Sequence, residues 1–422
     1  MKVCFEASIF QNFDIKTAGR SGIFHAARAL LKNLALLDDI EICLFSERVD
    51  VYAKLKDFIS SENLLERVYI AKQTRLVDYV ASLKKYEDCA RQEHRPIRRC
   101  LANIVKHIIM MFDRKIDQPE FDIAFFPISL NGIDQIKAKT RYLLLYDMMP
   151  VLFPQNYPDA PWFHEIVSFM SAHVNDKSWH YFAISENTKK DFLNHIPNLP
   201  EESITVVPLA ANEKFYPEKS IQKLSAAKEK YGIPADKKYM LSLCSLEPRK
   251  NIITACRAFC AFIKKHDIED LVFVLAGGHW DSFLPVLNKE IADMGDYAKN
   301  IMQAGYIDDN DMAALYSGAE WFVYTSQYEG FGLPPLEAMQ CGTPVITSNN
   351  SSLPEVVGNA GIMIDYDSLE QHVKAFEDYY FNSDLKKQNA VKGIERAKTF
   401  NWKKSAEIIM EQFKKNIKDW KK

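Results

Sequence analysis

Two glutamates bracket a turn that is rich in glycine and proline. The stretch Tyr328-Glu-Gly-Phe-Gly-Leu-Pro-Pro-Leu-Glu-Ala-Met-Gln-Cys-Gly342 places Glu329 before the turn and Glu337 eight positions later. Glycine lets the backbone approach a ligand closely, and a helix beginning at the prolines would offer free N–H groups to an anion. Carboxylates are strong acceptors for sugar hydroxyls. The pattern predicts one pocket faced by both glutamates, and the alternative is an ordinary strand–loop–helix junction with solvated glutamates.

A pair of cations forms the second candidate for chemistry. Arg249 and Lys250 lie in Leu246-Glu-Pro-Arg-Lys-Asn251, directly after a predicted strand at 239–243 and before a helix predicted from Asn251 to about 265. Ligands of open α/β sheets bind in the crevice at the carboxyl ends of the strands. A guanidinium and an ammonium at that place are suitable counter-charges for a diphosphate. Away from a strand end, an Arg-Lys pair would be a solvated surface.

A glycine-rich loop, Ala18-Gly-Arg-Ser-Gly-Ile23, follows the first predicted strand. It does not have the Gly-x-Gly-x-x-Gly spacing of a dinucleotide site, so on its own it is a weak signal. A plain surface loop remains the alternative.

The elements that must position these residues alternate along the chain. Short β-branched and apolar runs are separated by helical patterns, which is typical of βα units around parallel sheets. Twelve strands are predicted, at 3–7, 41–45, 123–126, 142–146, 181–184, 205–207, 239–243, 271–276, 301–304, 321–324, 344–347 and 361–364. The segment 208–217 and the polar stretch to Lys230 are interpreted as a linker. We therefore predict domains at 1–212 and 213–399, and a packing helix over 400–422.

Composition excludes several classes of protein. The 422 residues carry a formal net charge of −3, so no overall basic field would attract nucleic acid. The eight cysteines form no Cys-x-x-Cys pair, so neither a zinc site nor a redox motif is indicated. No stretch approaches the ~20 apolar residues of a membrane-spanning helix, and Glu6 interrupts an apolar run too short for a secretion signal. We expect a cytoplasmic protein with reduced thiols.

Together with Leu275-Ala-Gly-Gly278, Ala304-Gly-Tyr-Ile307 and Ser351-Ser-Leu-Pro-Glu-Val-Val-Gly-Asn-Ala-Gly361, these motifs resemble a known family. That family is the retaining GT-B glycosyltransferases that use nucleotide-sugars (glycosyltransferase family 4, group 1). It includes bacterial polysaccharide mannosyltransferases. The resemblance is strongest over 239–364. It implies an α/β fold of two Rossmann-like domains that face a central cleft. The acceptor would bind the N-terminal domain and the donor the C-terminal one, and the last helix would cross back onto the N-terminal domain.

The resemblance also implies roles for the candidate residues. Glu329 would contact hydroxyls of the transferred sugar, Glu337 the ribose, and Arg249 with Lys250 the diphosphate. The remaining donor contacts would come from the backbone amides of Gly330, Phe331, Gly332 and Leu333, from Gly305, Tyr306 and Ile307 near the base, and from the loop of Gly19 and Gly22 closing from the opposite domain.

Two positions depart from the family pattern. Tyr146-Asp147 stands where the family often has His-Asp. A tyrosine offers a hydroxyl but cannot act as an acid or base near neutral pH, so the role of Tyr146 stays open, and we expect Asp147 still to orient the site. Cys244 stands where glycine is common, and we do not interpret it as a nucleophile.

The predicted function is a retaining hexosyltransferase. Its best-matching donor is GDP-mannose, with UDP- and dTDP-sugars as alternatives, and its acceptor is a glycan or lipid-linked saccharide in cell-surface polysaccharide assembly. No cofactor or metal is expected, because Arg249 and Lys250 would take the role of a metal; the D-x-D string at Asp365 and Asp367 is predicted to be a turn. A GT-B sugar-nucleotide epimerase and a non-catalytic sugar-nucleotide-binding protein are the alternatives.

One further segment, 94–115, has apolar residues at helical spacing and six basic residues against one acid, Asp113. A basic amphipathic helix of this kind can lie on an anionic membrane surface. Two interpretations stay open: peripheral contact with the inner membrane, or a helix packed on its own domain.

Overall fold

The computed structural model describes residues 1–12, 22–47, 51–64, 66–72, 83, 86, 95–112, 119–157 and 160–420. Gly19, most of the glycine-rich loop around it, and both ends of the basic segment 94–115 lie outside these residues.

The first half of the chain forms a sheet of seven strands in the order β3-β2-β1-β4-β5-β6-β7. All of its neighbouring strands are parallel. The strands are β1 Lys2–Glu6, β2 Glu41–Phe45, β3 Val68–Ile70, β4 Phe121–Phe126, β5 Ala138–Leu145, β6 Trp179–Ala183 and β7 Ile204–Val206. Six of them were predicted. The exception, β3, has only three residues and lies at the sheet edge, so it carries too short an apolar run to be recognised.

The second half forms a parallel sheet of six strands in the order β10-β9-β8-β11-β12-β13. The strands are β8 Lys238–Leu243, β9 Leu271–Ala276, β10 Ile301–Gly305, β11 Trp321–Tyr324, β12 Val345–Ser348 and β13 Gly361–Ile364. Every residue of β9 is buried, as expected for a parallel strand covered on both faces. In both sheets the strand order reverses beside the first strand, which opens a crevice at the carboxyl ends.

Helices connect the strands. They are α1 Gly22–Ala35, α2 Tyr52–Ser61, α3 Pro96–Phe112, α4 Met149–Leu152, α5 Pro161–Ala172, α6 Glu186–His195, α7 Ile221–Lys230, α8 Ile252–His266, α9 Leu284–Ala292, α10 Met312–Ser317, α11 Leu333–Gln340, α12 Leu353–Val357, α13 Leu369–Phe381, α14 Ser383–Ala397 and α15 Trp402–Trp420. The interpretation of the stretch up to Lys230 as linker was wrong, because α7 occupies it. Lys230 Nζ pairs with Asp311 Oδ2 at 2.6 Å and so fastens α7 to the second half.

The last helix returns to the first domain, as expected. Phe413 of α15 is buried against Phe125 and Tyr142, with ring centroids 6.2 and 4.8 Å apart. The Tyr142 hydroxyl donates to the Gln412 carbonyl at 3.0 Å and accepts from Asn416 Nδ2 at 2.6 Å. These contacts fix α15 across the central strands of the N-terminal sheet.

Helix α3 confirms the helical interpretation of the basic segment. Five of its large apolar side chains are exposed: Ile97 by 75%, Leu101 by 57%, and Ile104, Val105 and Ile108 by 43–50%. A helix packed by this stripe would bury it. Within the part of the chain that the structure describes, no helix is long and apolar enough to cross a bilayer.

Candidate active site

The two charged motifs come together because their strands are neighbours. β8 and β11 pair in parallel, so the segments after them leave the sheet side by side. Gln327 N donates to the Arg249 carbonyl at 2.8 Å and ties the segments to each other. A 3-10 turn over Pro248–Lys250 ends at Asn251, which adopts a left-handed φ of 56° and begins α8. This turn directs both cations back toward β11.

Arg249 and Lys250 form a buried ion cluster with two glutamates. Glu329 Oε1 lies 2.7 Å from Arg249 Nη1 and 2.6 Å from Lys250 Nζ. Arg249 Nη2 also reaches Glu247 Oε1 at 2.5 Å. All four side chains are buried. Two cations therefore stand against two carboxylates in this cluster.

Arg249 and Glu329 keep their charges. Burial by itself would raise the pKa of Glu329, but Arg249 and Lys250 outweigh burial and lower that pKa to about 2. Burial would likewise lower the pKa of Arg249, and Glu329 with Glu247 raises it above its ordinary value instead. Lys250 Nζ has a further neutral partner, the Tyr324 hydroxyl at 2.6 Å. Arg249 is therefore ionised, and hydrogen bonds hold both cations in fixed positions.

Asp147 approaches the cluster from the N-terminal domain, just beyond β5. Its Oδ1 accepts the Met149 amide at 3.0 Å. Burial raises the pKa of Asp147 to about 6, although the Met149 amide and Arg249 oppose the shift. The hydroxyl of Tyr146 is buried and has no hydrogen-bond partner among the described residues. Burial also raises the Tyr146 pKa, so this hydroxyl stays protonated.

The glycine turn touches the N-terminal domain directly. The Gly330 carbonyl accepts from Ser185 Oγ at 2.7 Å and from Thr188 Oγ1 at 3.1 Å. A Cβ atom at Gly330 would lie only 2.3 Å from the Tyr146 carbonyl oxygen. Only glycine fits this contact between the domains.

The carbonyls and the amides of the turn differ in their hydrogen bonding. The carbonyls of Glu329 and Phe331 both accept from Ser352 Oγ. In contrast, none of the amides of residues 330–333 donates to an acceptor within the described part of the chain. α11 begins immediately afterwards with prolines in its first turn, and Gly342, at φ 79°, follows its end, as predicted.

Glu337 lies on α11, and its hydrogen-bond partner is a tyrosine, whereas Glu329 pairs with two cations. Glu337 Oε2 accepts the Tyr316 hydroxyl at 3.1 Å. Burial raises the pKa of Glu337 to about 7; the Tyr316 hydrogen bond and the charge of Lys214 oppose the shift. Glu337 is therefore a carboxyl that releases its proton near neutral pH.

The other predicted donor contacts occupy the edges of the same region. Gly305 ends β10, and its carbonyl accepts the Gly277 amide at 2.7 Å. After it, Tyr306 is 47% exposed and Ile307 is buried. Gly22 begins α1, and a Cβ atom there would lie 3.6 Å from Leu333 Cδ1, so the start of α1 faces the start of α11.

Several contributors were missed by the sequence reasoning. Glu247 and Tyr324 hold the two cations, and Ser185 holds the glycine turn. Glu247 had a usable signal, because a carboxylate two positions before Arg249 is a ready partner for it. The D-x-D string is a turn, as predicted: Asp365 accepts from Asn349 Nδ2 and Gln371 Nε2.

Cys244 is buried, and burial raises the pKa of its thiol to about 11. A thiol with so high a pKa is a poor nucleophile at neutral pH. Gly277, at φ 116°, lies so close that a Cβ atom on it would stand 2.0 Å from the Cys244 carbonyl oxygen. The cysteine is a packing residue beside the strand ends.

Comparison with known proteins bears on this arrangement. Residues 225–396 match the family model of glycosyl transferases group 1. The serotype-specific mannosyltransferase WbdA of Escherichia coli is 26% identical over 280 residues, which are 66% of this chain and 34% of WbdA. The O-antigen chain mannosyltransferase B of E. coli is 34% identical over 209 residues, 49% of this chain and 52% of that protein. The chain thus covers about a third to a half of these relatives' lengths.

Among solved structures, HepE of Anabaena in complex with UDP and glucose matches with a TM-score of 0.66 at 14% identity. The match covers 98% of this chain and 100% of HepE. At such low identity the likeness concerns the fold alone. It confirms the GT-B architecture of two Rossmann-like domains around a cleft.

Proposed function

We propose that the chain is a retaining, metal-independent hexosyltransferase, because residues 225–396 match the family model of glycosyl transferases group 1. The observation that carries this proposal is the buried cluster of Arg249, Lys250 and Glu329 at adjoining strand ends. It provides two fixed cations for a diphosphate and one carboxylate for sugar hydroxyls. The free amides of 330–333 add donors at the start of α11.

The proposed reaction breaks the bond between the anomeric carbon and the diphosphate oxygen, whose electron pair stays with the leaving nucleoside diphosphate. Arg249 and Lys250 stabilise the charge that develops there. Such preorganised groups act strongly because they need no reorganisation during the reaction. The acceptor hydroxyl then forms the new bond on the face from which the diphosphate leaves, and its proton passes to the departing diphosphate oxygen.

Donor entry must rearrange the cluster. In the free chain the two cations are already neutralised by Glu247 and Glu329. A diphosphate that accepts hydrogen bonds from Arg249 Nη1 and Lys250 Nζ would replace Glu329 as their partner. Glu329 would then be available to bind the hexose hydroxyls. Asp147, whose pKa is about 6, can accept a proton as negative charge enters beside it.

For the donor we propose GDP-mannose, and for the acceptor a glycan or lipid-linked saccharide of a cell-surface polysaccharide. The mannose and the polysaccharide acceptor are proposed by analogy with the O-antigen chain mannosyltransferases among the relatives. Calorimetric titration with GDP, UDP, dTDP and ADP tests the donor. GDP should bind most tightly. If UDP or dTDP bound more tightly than GDP, the donor would instead be a UDP-sugar or a dTDP-sugar.

The epimerase and the binding protein remain as rival functions. An epimerase releases nucleoside diphosphate or an altered sugar without any acceptor, and a binding protein releases nothing. The transferase should release nucleoside diphosphate at its full rate only when a saccharide acceptor is present. Chromatographic measurement of released nucleotide, with and without acceptor, separates the three.

We further propose that α3 rests on the cytoplasmic face of an anionic membrane. Its exposed apolar stripe and the exposed Arg98 support this placement. Apolar side chains can enter the acyl boundary while basic ones meet lipid headgroups. Peripheral contact of this kind would bring the cleft close to lipid-linked acceptors.

A further inference from the structure

Aromatic side chains from both domains meet above the ion cluster. Tyr157 follows α4 in the N-terminal domain, and Trp280 follows β9 in the C-terminal domain. Their rings contact edge to face, with centroids 5.7 Å apart and an interplanar angle of 87°. Both side chains are only partly buried.

The pair is fixed to the site itself. The Tyr157 hydroxyl accepts from Arg249 Nε at 3.4 Å and donates to Met149 Sδ at 3.7 Å. Met149 is in turn held by Asp147 through its amide. The Trp280 amide donates to the Leu246 carbonyl at 3.1 Å, which places the indole beside the segment that carries Arg249.

A second aromatic contact extends this surface. Phe153, four residues before Tyr157, lies with its ring 5.8 Å from that of Tyr328, the residue before Glu329. Removing apolar aromatic surface from water is favourable. Partly exposed rings at a cleft therefore offer apolar surface that a ligand can cover. A pyranose ring has one face of C–H groups and a rim of hydroxyls, and it can place that face on an aromatic ring while its rim meets the charged cluster.

We propose that Tyr157 and Trp280 form the platform on which the ring of the acceptor saccharide packs. This inference rests on the proposed transferase function and adds the residues that select its acceptor. Tyr157 reaches Arg249 from the N-terminal domain, whereas the ribose residue Glu337 lies on α11 beside Tyr316. The platform thus adjoins Arg249 from the N-terminal domain, the domain expected to bind the acceptor.

Saturation-transfer NMR tests the inference without knowledge of the natural acceptor. Aromatic protons are irradiated in the presence of nucleoside diphosphate and a panel of methyl glycosides of mannose, glucose, galactose and rhamnose. In the parent, ring C–H protons of at least one glycoside should receive saturation. Trp280→Leu and Tyr157→Leu should weaken its binding about tenfold, the loss expected for one well-packed contact. Tyr157→Phe keeps the ring and should retain the signal.

Controls separate this inference from the proposed function. Phe381→Leu removes an exposed aromatic ring on α13 and should leave the glycoside signal unchanged. Nucleotide titration of Trp280→Leu should match the parent, which shows that the variant is folded. If the parent binds nucleotide but no glycoside receives saturation, or if both leucine variants match the parent, the platform is wrong. Failure of the parent to bind any nucleotide would instead refute the proposed function.

Discussion

Arg249 Nη1 donates to Glu329 Oε1 at 2.7 Å, so the cation expected for the diphosphate and the carboxylate expected for the sugar are partners in the free chain. Burying such a pair costs desolvation free energy, and removing one partner would leave the other as an uncompensated buried charge. The pair holds both groups in place before the donor arrives. The donor then has to exchange partners with the pair rather than organise loose side chains.

The contact between Gly330 and Tyr146 should be intolerant of any side chain. In Gly330→Ala the new Cβ atom would clash with the Tyr146 carbonyl and Asp147, at a cost of about 1–3 kcal/mol for overpacking. We expect a lower thermal midpoint and loss of turnover. Gly278→Ala is the matched control, because a Cβ atom there meets nothing within 4 Å. Equal melting and activity of the two variants would contradict the proposed contact between the domains.

Glu337→Ala should weaken nucleoside diphosphate binding while the fold stays intact. A lost hydrogen bond to a charged group is worth about 1.5–3 kcal/mol, or roughly 10- to 150-fold in affinity. Calorimetric titration measures the effect, and circular dichroism checks the fold. Parent-like affinity would remove Glu337 from the ribose site.

Proton release provides a separate test of Glu337. Its pKa is about 7 in the free chain, and ribose hydroxyls that donate to the carboxylate would lower that pKa. Binding near pH 7 should therefore release about half a proton from Glu337, and this contribution should make affinity rise as pH increases from 5 to 7 and then level off. Calorimetry in buffers of different ionisation enthalpy counts the protons. Glu337→Gln should lose this component; an identical proton count in both proteins would contradict the assignment.

Association of α3 with anionic vesicles should depend on its charges and on salt. Each basic residue near such a surface contributes about 1 kcal/mol. Flotation of Arg98→Gln/Arg99→Gln/Lys106→Gln should therefore drop strongly, whereas Lys264→Gln/Lys387→Gln/Lys392→Gln, with three exposed basic residues on other helices, should float like the parent. Equal flotation with neutral vesicles, or none with anionic ones, would rule out the membrane contact.

Helix ends and strand ends could be predicted from the sequence, because the residues that determine them are neighbours in the chain. The prolines and Gly342 define α11, and the strand before Arg249 places that residue at a sheet end. Helix α7 was missed because its sequence is mostly polar and only Ala227 in it is buried. Its position is set by the contact of Lys230 with Asp311, which no local pattern reveals.

The sequence indicated which single residues belong to the candidate site. It did not indicate which of these residues contact each other. Glu329 and Arg249 are 80 positions apart, and their pairing depends on β8 and β11 being neighbours. Tyr157 and Ser185 belong to no recognisable motif and enter the site only because the two domains face each other. Contacts between domains are the information that a single sequence lacks.

We propose that Arg249 and Lys250 stabilise the departing diphosphate as a metal does in other transferases. The measurement is turnover, as acceptor-dependent release of nucleoside diphosphate, for the parent and for Arg249→Ala/Lys250→Ala, each in chelator and with added Mg²⁺ or Mn²⁺. The parent should stay active in chelator. The double variant should lose several orders of magnitude, since one preorganised contact is often worth ~10²–10³ in rate, and neither metal should restore it. Loss of parent activity in chelator, restored by one metal, would contradict the mechanism.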